Sequence, residues 1–167
     1  MRKLFCLLVA AGAACVWSAG AVAQTKVTGT HACSKPDPQH TLPAGDRPDH
    51  SFIVEQLKCN HTKAMEIGGD KSKDGVATDM VEVSGGKSHF HGVYVMTMQS
   101  GDKAFLPYQG TGVTSKDGKE VASKGTFSFA SGTGKLKGIK GKGTFTCKSA
   151  SEGGVSCDTE GEYELAK

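Results

Sequence analysis

Strict alternation of apolar and polar residues marks the second half of the chain. In Gly125–Ala130, Phe127 and Phe129 share one face, and Thr126 and Ser128 the other. In Gly143–Lys148, Phe145 and Cys147 oppose Thr144 and Thr146. In Glu160–Leu165, Tyr163 and Leu165 oppose glutamates. A period of two is the pattern of a half-buried strand, and no window sustains a helical period. His89–Met98 differs. Phe90, Gly92, Tyr94, Met96 and Met98 fall on one face, and His89, His91, Val93, Val95 and Thr97 on the other. Apolar residues on both faces predict cover on both sides, from the N-terminal segment or a second subunit.

Turn residues punctuate these runs. Lys73-Asp-Gly75, Ser100-Gly-Asp102 and Lys116-Asp-Gly118 predict hairpin ends. Several glycines stand inside the strands themselves, among them Gly92, Gly110, Gly112, Gly143 and Gly161. Strands of about eight in number, short-spaced and rich in glycine, predict an all-β, closed antiparallel barrel, because a small barrel needs sharp coiling. Residues 24–50 carry four of the five prolines and predict an extended Pro-rich arm ahead of a barrel domain over 51–167.

The first 23 residues have another character. Arg2 and Lys3 precede an apolar stretch from Leu4 to Val16, and small residues stand at Ala21 and Ala23. This is a secretory signal pattern over 1–23 with cleavage before Gln24, too short for a spanning helix. Cys15 offers a lipidation site as the competing reading. Removing Arg2 and Lys3 leaves 18 basic residues against 17 acidic ones. Bulk charge therefore speaks against nucleic-acid binding, and no later segment reads as a membrane span.

Export changes how the cysteines are read. Cys33, Cys59, Cys147 and Cys157 remain in the mature chain, and an even number in an oxidising compartment predicts disulfides. A hairpin centred on Glu152 sets Cys147 directly opposite Cys157, which leaves Cys33 for Cys59. His31/Cys33 and Cys59/His61 are each spaced i, i+2, so each pair shares a face. These four also form a Cys2His2 zinc set if the strands meet and the thiols are free; the disulfide is the favoured expectation. His89 and His91 are a further candidate metal pair, with His40 or His50 as candidate third ligands. Gly138 and Gly143 have phosphate-loop spacing, but Thr144 stands where the lysine is required and no helix pattern follows. Lys135, Lys137, Lys140 and Lys142 instead predict a charged edge that discourages pairing between molecules.

The stretch Gly132–Phe145 resembles the late strand pair of barrels related to plant allene oxide cyclases and dirigent proteins. Lys35–His40, Gly45–Phe52, Gly101–Lys103 and Glu160–Tyr163 resemble small exported bacterial proteins with that barrel. The resemblance implies the barrel and, through the dirigent relatives, assembly into oligomers. It carries over no site residue. The leading expectation is a periplasmic or secreted, non-catalytic binding or interaction barrel without a cofactor. It would take a small apolar ligand against Tyr94, Met96, Met98, Phe127 and Phe129, or a partner. A cyclase- or isomerase-type enzyme and a His89/His91 metal protein are the alternatives.

Overall fold

The structure is a computed structural model and describes residues 24–118, 120–150 and 153–166. The signal pattern, Cys15 and the hairpin centre at Glu152 lie outside the described residues. Eight strands close a barrel, every pairing antiparallel. They are β1 (Thr25–Cys33), β3 (His50–Lys63), β5 (Asp70–Ser84), β6 (Lys87–Met98), β7 (Lys103–Thr114), β8 (Val121–Phe129), β10 (Lys140–Ser149) and β11 (Val155–Glu164). The ring runs β3-β1-β11-β10-β8-β7-β6-β5 and closes by β5 pairing with β3. Three short strands complete the set: β2 (Gln39–Pro43), β4 (Glu66–Ile67) and β9 (Ser131–Gly132).

Alternation fills this barrel. Phe127, Phe129, Tyr94, Met96, Met98, Leu106 and Tyr163 all point inward and are buried. Complete burial of Met96 and Met98 contributes about 1.5–3 kcal/mol each. Beyond β9 a single 3-10 turn, Gly134–Leu136, adds the fully buried Leu136, and Ile139 follows it into the core. Inward glycines make room for the rings. A Cβ at Gly75 would stand 2.3 Å from the Tyr94 ring, and one at Gly143 would stand 2.3 Å from the Phe127 ring. A ring laid over a glycine on the next strand lets the wall coil sharply without a void. The curved wall leaves two open depressions on its outside. One is bordered by Phe52, Val54, Met80 and His91, the other by Lys26, Lys142 and Glu160.

Three differences from the sequence expectations matter. The arm does not span all of 24–50. Thr25–Cys33 pairs with β11 along its whole length and with the end of β3, so it belongs to the barrel wall. Its inward face is Val27, Gly29, His31 and Cys33, with too little apolar content for the alternation to stand out. Only the following stretch keeps an extended course outside the ring, where β2 pairs with the free half of β3. Second, Lys73-Asp-Gly75 does not reverse the chain. It is an irregularity inside β5, where the ladder to β6 slips between Ser72 and Asp74. Gly75 is held there because it lies beneath Tyr94. The chain turns instead at Gly68-Gly69 (φ 59° and 79°) and Gly85-Gly86 (φ 57° and 75°), the paired positive φ values that a two-residue hairpin needs. Third, Lys140 and Lys142 are not on an edge, since β10 pairs on both sides.

Candidate functional site

The His-x-Cys of β1 and the Cys-x-His of β3 meet. Cys33 faces Cys59 and His31 faces His61 across the two strands. Each pair is spaced by two residues, so all four side chains fall on the inward face. Cys33 and Cys59 form a disulfide, as do Cys147 and Cys157. A ligand atom of His31 and the sulfurs of Cys33 and Cys59 lie within 4.8 Å of one another.

Two further strands complete the surroundings. Tyr94 of β6 stacks on His31, with ring centroids 5.3 Å apart and an interplanar angle of 19°. Its Oη hydrogen-bonds with His61 Nε2 at 2.9 Å. Ser72 of β5 holds the other nitrogen, Oγ to Nδ1 at 2.9 Å, while accepting the Met65 N–H at 2.8 Å. His61 is thus held at both ring nitrogens. His31 is not: its Nδ1 is buried without a hydrogen-bond partner. Leaving such a group unpaired costs on the order of 1–3 kcal/mol.

Burial sets the charge state here. It holds the His31 imidazole down to about 4, with the neighbouring His61 lowering it further and Asp158 acting against both. Burial also lowers His61, against a weaker pull from Asp74. The Tyr94 phenol is pushed above its ordinary value by burial first and the Asp74 charge second. At neutral pH the cluster is therefore two neutral imidazoles, a phenol and a disulfide.

A second polar group enters the interior further along β5. Asp79 lies over Gly92 of β6, where a Cβ would stand 2.8 Å from its Oδ1. That oxygen is buried without a hydrogen-bond partner. Burial, and then the charge of Glu55 opposite on β3, push the carboxyl up to about 7. Sequence reasoning passed over Asp79, although a signal existed. It shares its face with Ala77, Val81 and Val83, so alternation alone directs a carboxyl inward.

The remaining predicted residues divide between core and surface. Tyr94, Met96, Met98, Phe127 and Phe129 sit in the packed core. His89 and His91 lie exposed on the outer face of β6, and the metal-ligand cluster among the described residues is elsewhere. His40 is exposed on β2. His50 is engaged by Asp46 at 2.5 Å and Glu82 at 2.9 Å, hydrogen bonds that raise its pKa, the Asp46 bond foremost.

The outer face around His89 and His91 has a pattern of its own. One cross-strand row runs Leu42, Phe52, Glu82, His89, Thr111, Lys124. The next runs His40, Val54, Met80, His91, Gln109, Thr126. Leu42, Phe52, Val54, Met80 and Val93 are 42–68% exposed. The expected cover over β6 is therefore not supplied by the arm, which joins the sheet at its edge. Compared with protein-family models, curated proteins and solved structures, the chain finds no match.

Proposed function

We propose that the protein is an exported, non-catalytic interaction barrel that works through its outer face and takes a second copy of itself as partner. The observation that carries the reading is the exposed apolar stripe of β2, β3, β5 and β6 on the outside of the barrel. Contiguous exposed apolar side chains rimmed by polar groups mark interaction surfaces. The apolar character of the stripe favours a second copy, with Leu42, Phe52, Val54 and Met80 of one against those of the other. A two-fold interface needs a self-complementary face, and an apolar stripe is complementary to its own copy. The two disulfides and the signal pattern support a periplasmic or secreted location.

Sedimentation of the mature chain over a wide concentration range tests this. A dimer is expected, reduced to monomer by Met80→Lys with the circular dichroism spectrum unchanged. A wild-type monomer at every concentration overturns the reading.

A cyclase- or isomerase-type enzyme is the second reading, favoured by one observation: Asp79 on the inward face of β5, with Oδ1 buried without a hydrogen-bond partner and the carboxyl pushed up to about 7 by burial. Native mass spectrometry of protein taken from its own compartment addresses it. An organic mass bound by wild type and lost in Asp79→Asn supports the enzyme; a bare mass in both removes its support.

A further inference from the structure

We propose that the Cys33–Cys59 end of the barrel is a redox-gated zinc site, in which reduction of that disulfide turns His31, Cys33, Cys59 and His61 into a Cys2His2 ligand set. Three observations carry this. Three of the four donors are already gathered, with His31, Cys33 and Cys59 placing one atom each within 4.8 Å of the others. His61 stands next to them, its ring centroid 5.5 Å from that of His31. His31 Nδ1 is a buried nitrogen for which the disulfide form offers no hydrogen-bond partner.

Assembly needs two movements, of the sulfurs apart and of His61 towards them. Tetrahedral zinc bound at about 2.3 Å from sulfur and about 2.0–2.1 Å from nitrogen sets its ligand atoms roughly 3.3–3.8 Å apart. Two sulfurs released from a disulfide must separate to about that distance, since they can no longer share a bond. His61 reaches the ion by exchanging its Tyr94 contact for the metal. Ser72 stays on the other ring nitrogen as the orienting group that metal-bound histidines usually have. Two thiolates with two imidazoles in a tetrahedron favour zinc over harder cations.

The chemistry balances with a dithiol reductant. The donor gives two electrons and two protons to the Cys33–Cys59 bond, and its own two thiols become a disulfide. The protein then carries two thiols, and a zinc ion displaces their two protons on binding. Cys147–Cys157 is an internal control. It is also directly opposed across two strands, and Cys157 even neighbours His31 across the β1–β11 ladder. Its sulfurs nevertheless stand outside the cluster, and its nearest same-face neighbours along the strands are Phe145, Ser149, Val155 and Thr159.

Cobalt(II) titration of the mature protein, oxidised and after dithiol reduction, is the test. Reduced protein should bind one ion per chain, with thiolate-to-cobalt charge-transfer absorption and the visible bands of a tetrahedral site; zinc should displace the cobalt. The oxidised protein should show neither band. His31→Ala should weaken binding at least about tenfold, while Cys147→Ala/Cys157→Ala should retain it. If reduction loosens the barrel, zinc added to the reduced chain should restore its circular dichroism spectrum and raise its melting temperature. Reduced protein that neither binds cobalt tetrahedrally nor refolds with zinc overturns the proposal. So does binding that His31→Ala leaves unchanged.

Discussion

The two disulfides occupy equivalent places in the ladder and unlike surroundings. Each joins directly opposed residues on neighbouring antiparallel strands and points inward. Cys147–Cys157 staples one hairpin, across a sequence separation of 10. Cys33–Cys59 spans a separation of 26 and ties the first barrel strand to the third in the chain. Phe145, Ser149, Val155 and Thr159 flank the former along its strands, and His31 stands across the ladder from Cys157; two histidines, a tyrosine and a serine surround the latter. What distinguishes the Cys33–Cys59 end is convergence: Tyr94 and Ser72 of two further strands hold His61 beside it, and burying such a group carries a desolvation penalty.

The largest expected effect separates the two bonds by loop length. Replacing Cys33 and Cys59 with Ala should cost about 3.5 kcal/mol, and replacing Cys147 and Cys157 about 2.7 kcal/mol, if chain entropy in the unfolded state dominates. Denaturant midpoints of the two double variants check this. Equal or reversed midpoints would show that the surroundings, not the loop, set the difference.

Next comes pH. The folded His31 value of about 4 lies below the ordinary 6.5, so the unfolded chain takes up its proton first on acidification. The stability tied to His31 is full above 6.5 and is lost between 6.5 and about 4, on the order of 2–3 kcal/mol. His61, shifted the same way, adds to the loss. His31→Phe should flatten this limb, and Cys147→Ala/Cys157→Ala should leave it in place. Asp79 has the opposite sign. Its folded value of about 7 lies above the ordinary 3.8, so its contribution is full below 3.8 and lost as pH rises through 7. Asp79→Asn should therefore raise the melting temperature at about pH 8 and leave it unchanged at about pH 3. Melting curves across pH for the three variants measure all of this.

A smaller effect sharpens the contrast at the ring stacked on His31. Gly75→Ala places a methyl 2.3 Å from Tyr94, and displacing that ring should cost about 1–3 kcal/mol. Tyr94→Phe keeps the stacking and removes only the bond to His61, for about 1 kcal/mol. If Tyr94→Phe costs as much as Gly75→Ala, the hydrogen bond rather than the packing secures this end.

Much of this is legible in the chain's period of two. Alternation assigned Phe127, Phe129, Phe145 and Tyr163 to the inside. A turn midway between Cys147 and Cys157 was enough to pair them. The spacings of His31 to Cys33 and of Cys59 to His61 placed each pair on one face. Asp79 stood among inward apolar positions, readable but passed over. The physical reason is that which face a strand residue occupies follows from a local period of two.

Ring closure is not local. That β1 enters the wall between β11 and β3, rather than trailing as an arm, depends on pairings between residues as far apart as Thr25 and Tyr163. The same closure gathers His31, His61, Ser72 and Tyr94 from four strands, and bares the outer stripe that the arm leaves uncovered. Side-chain period is written residue by residue. The neighbour of a strand is chosen by the free energy of the whole closed sheet, which no single segment carries.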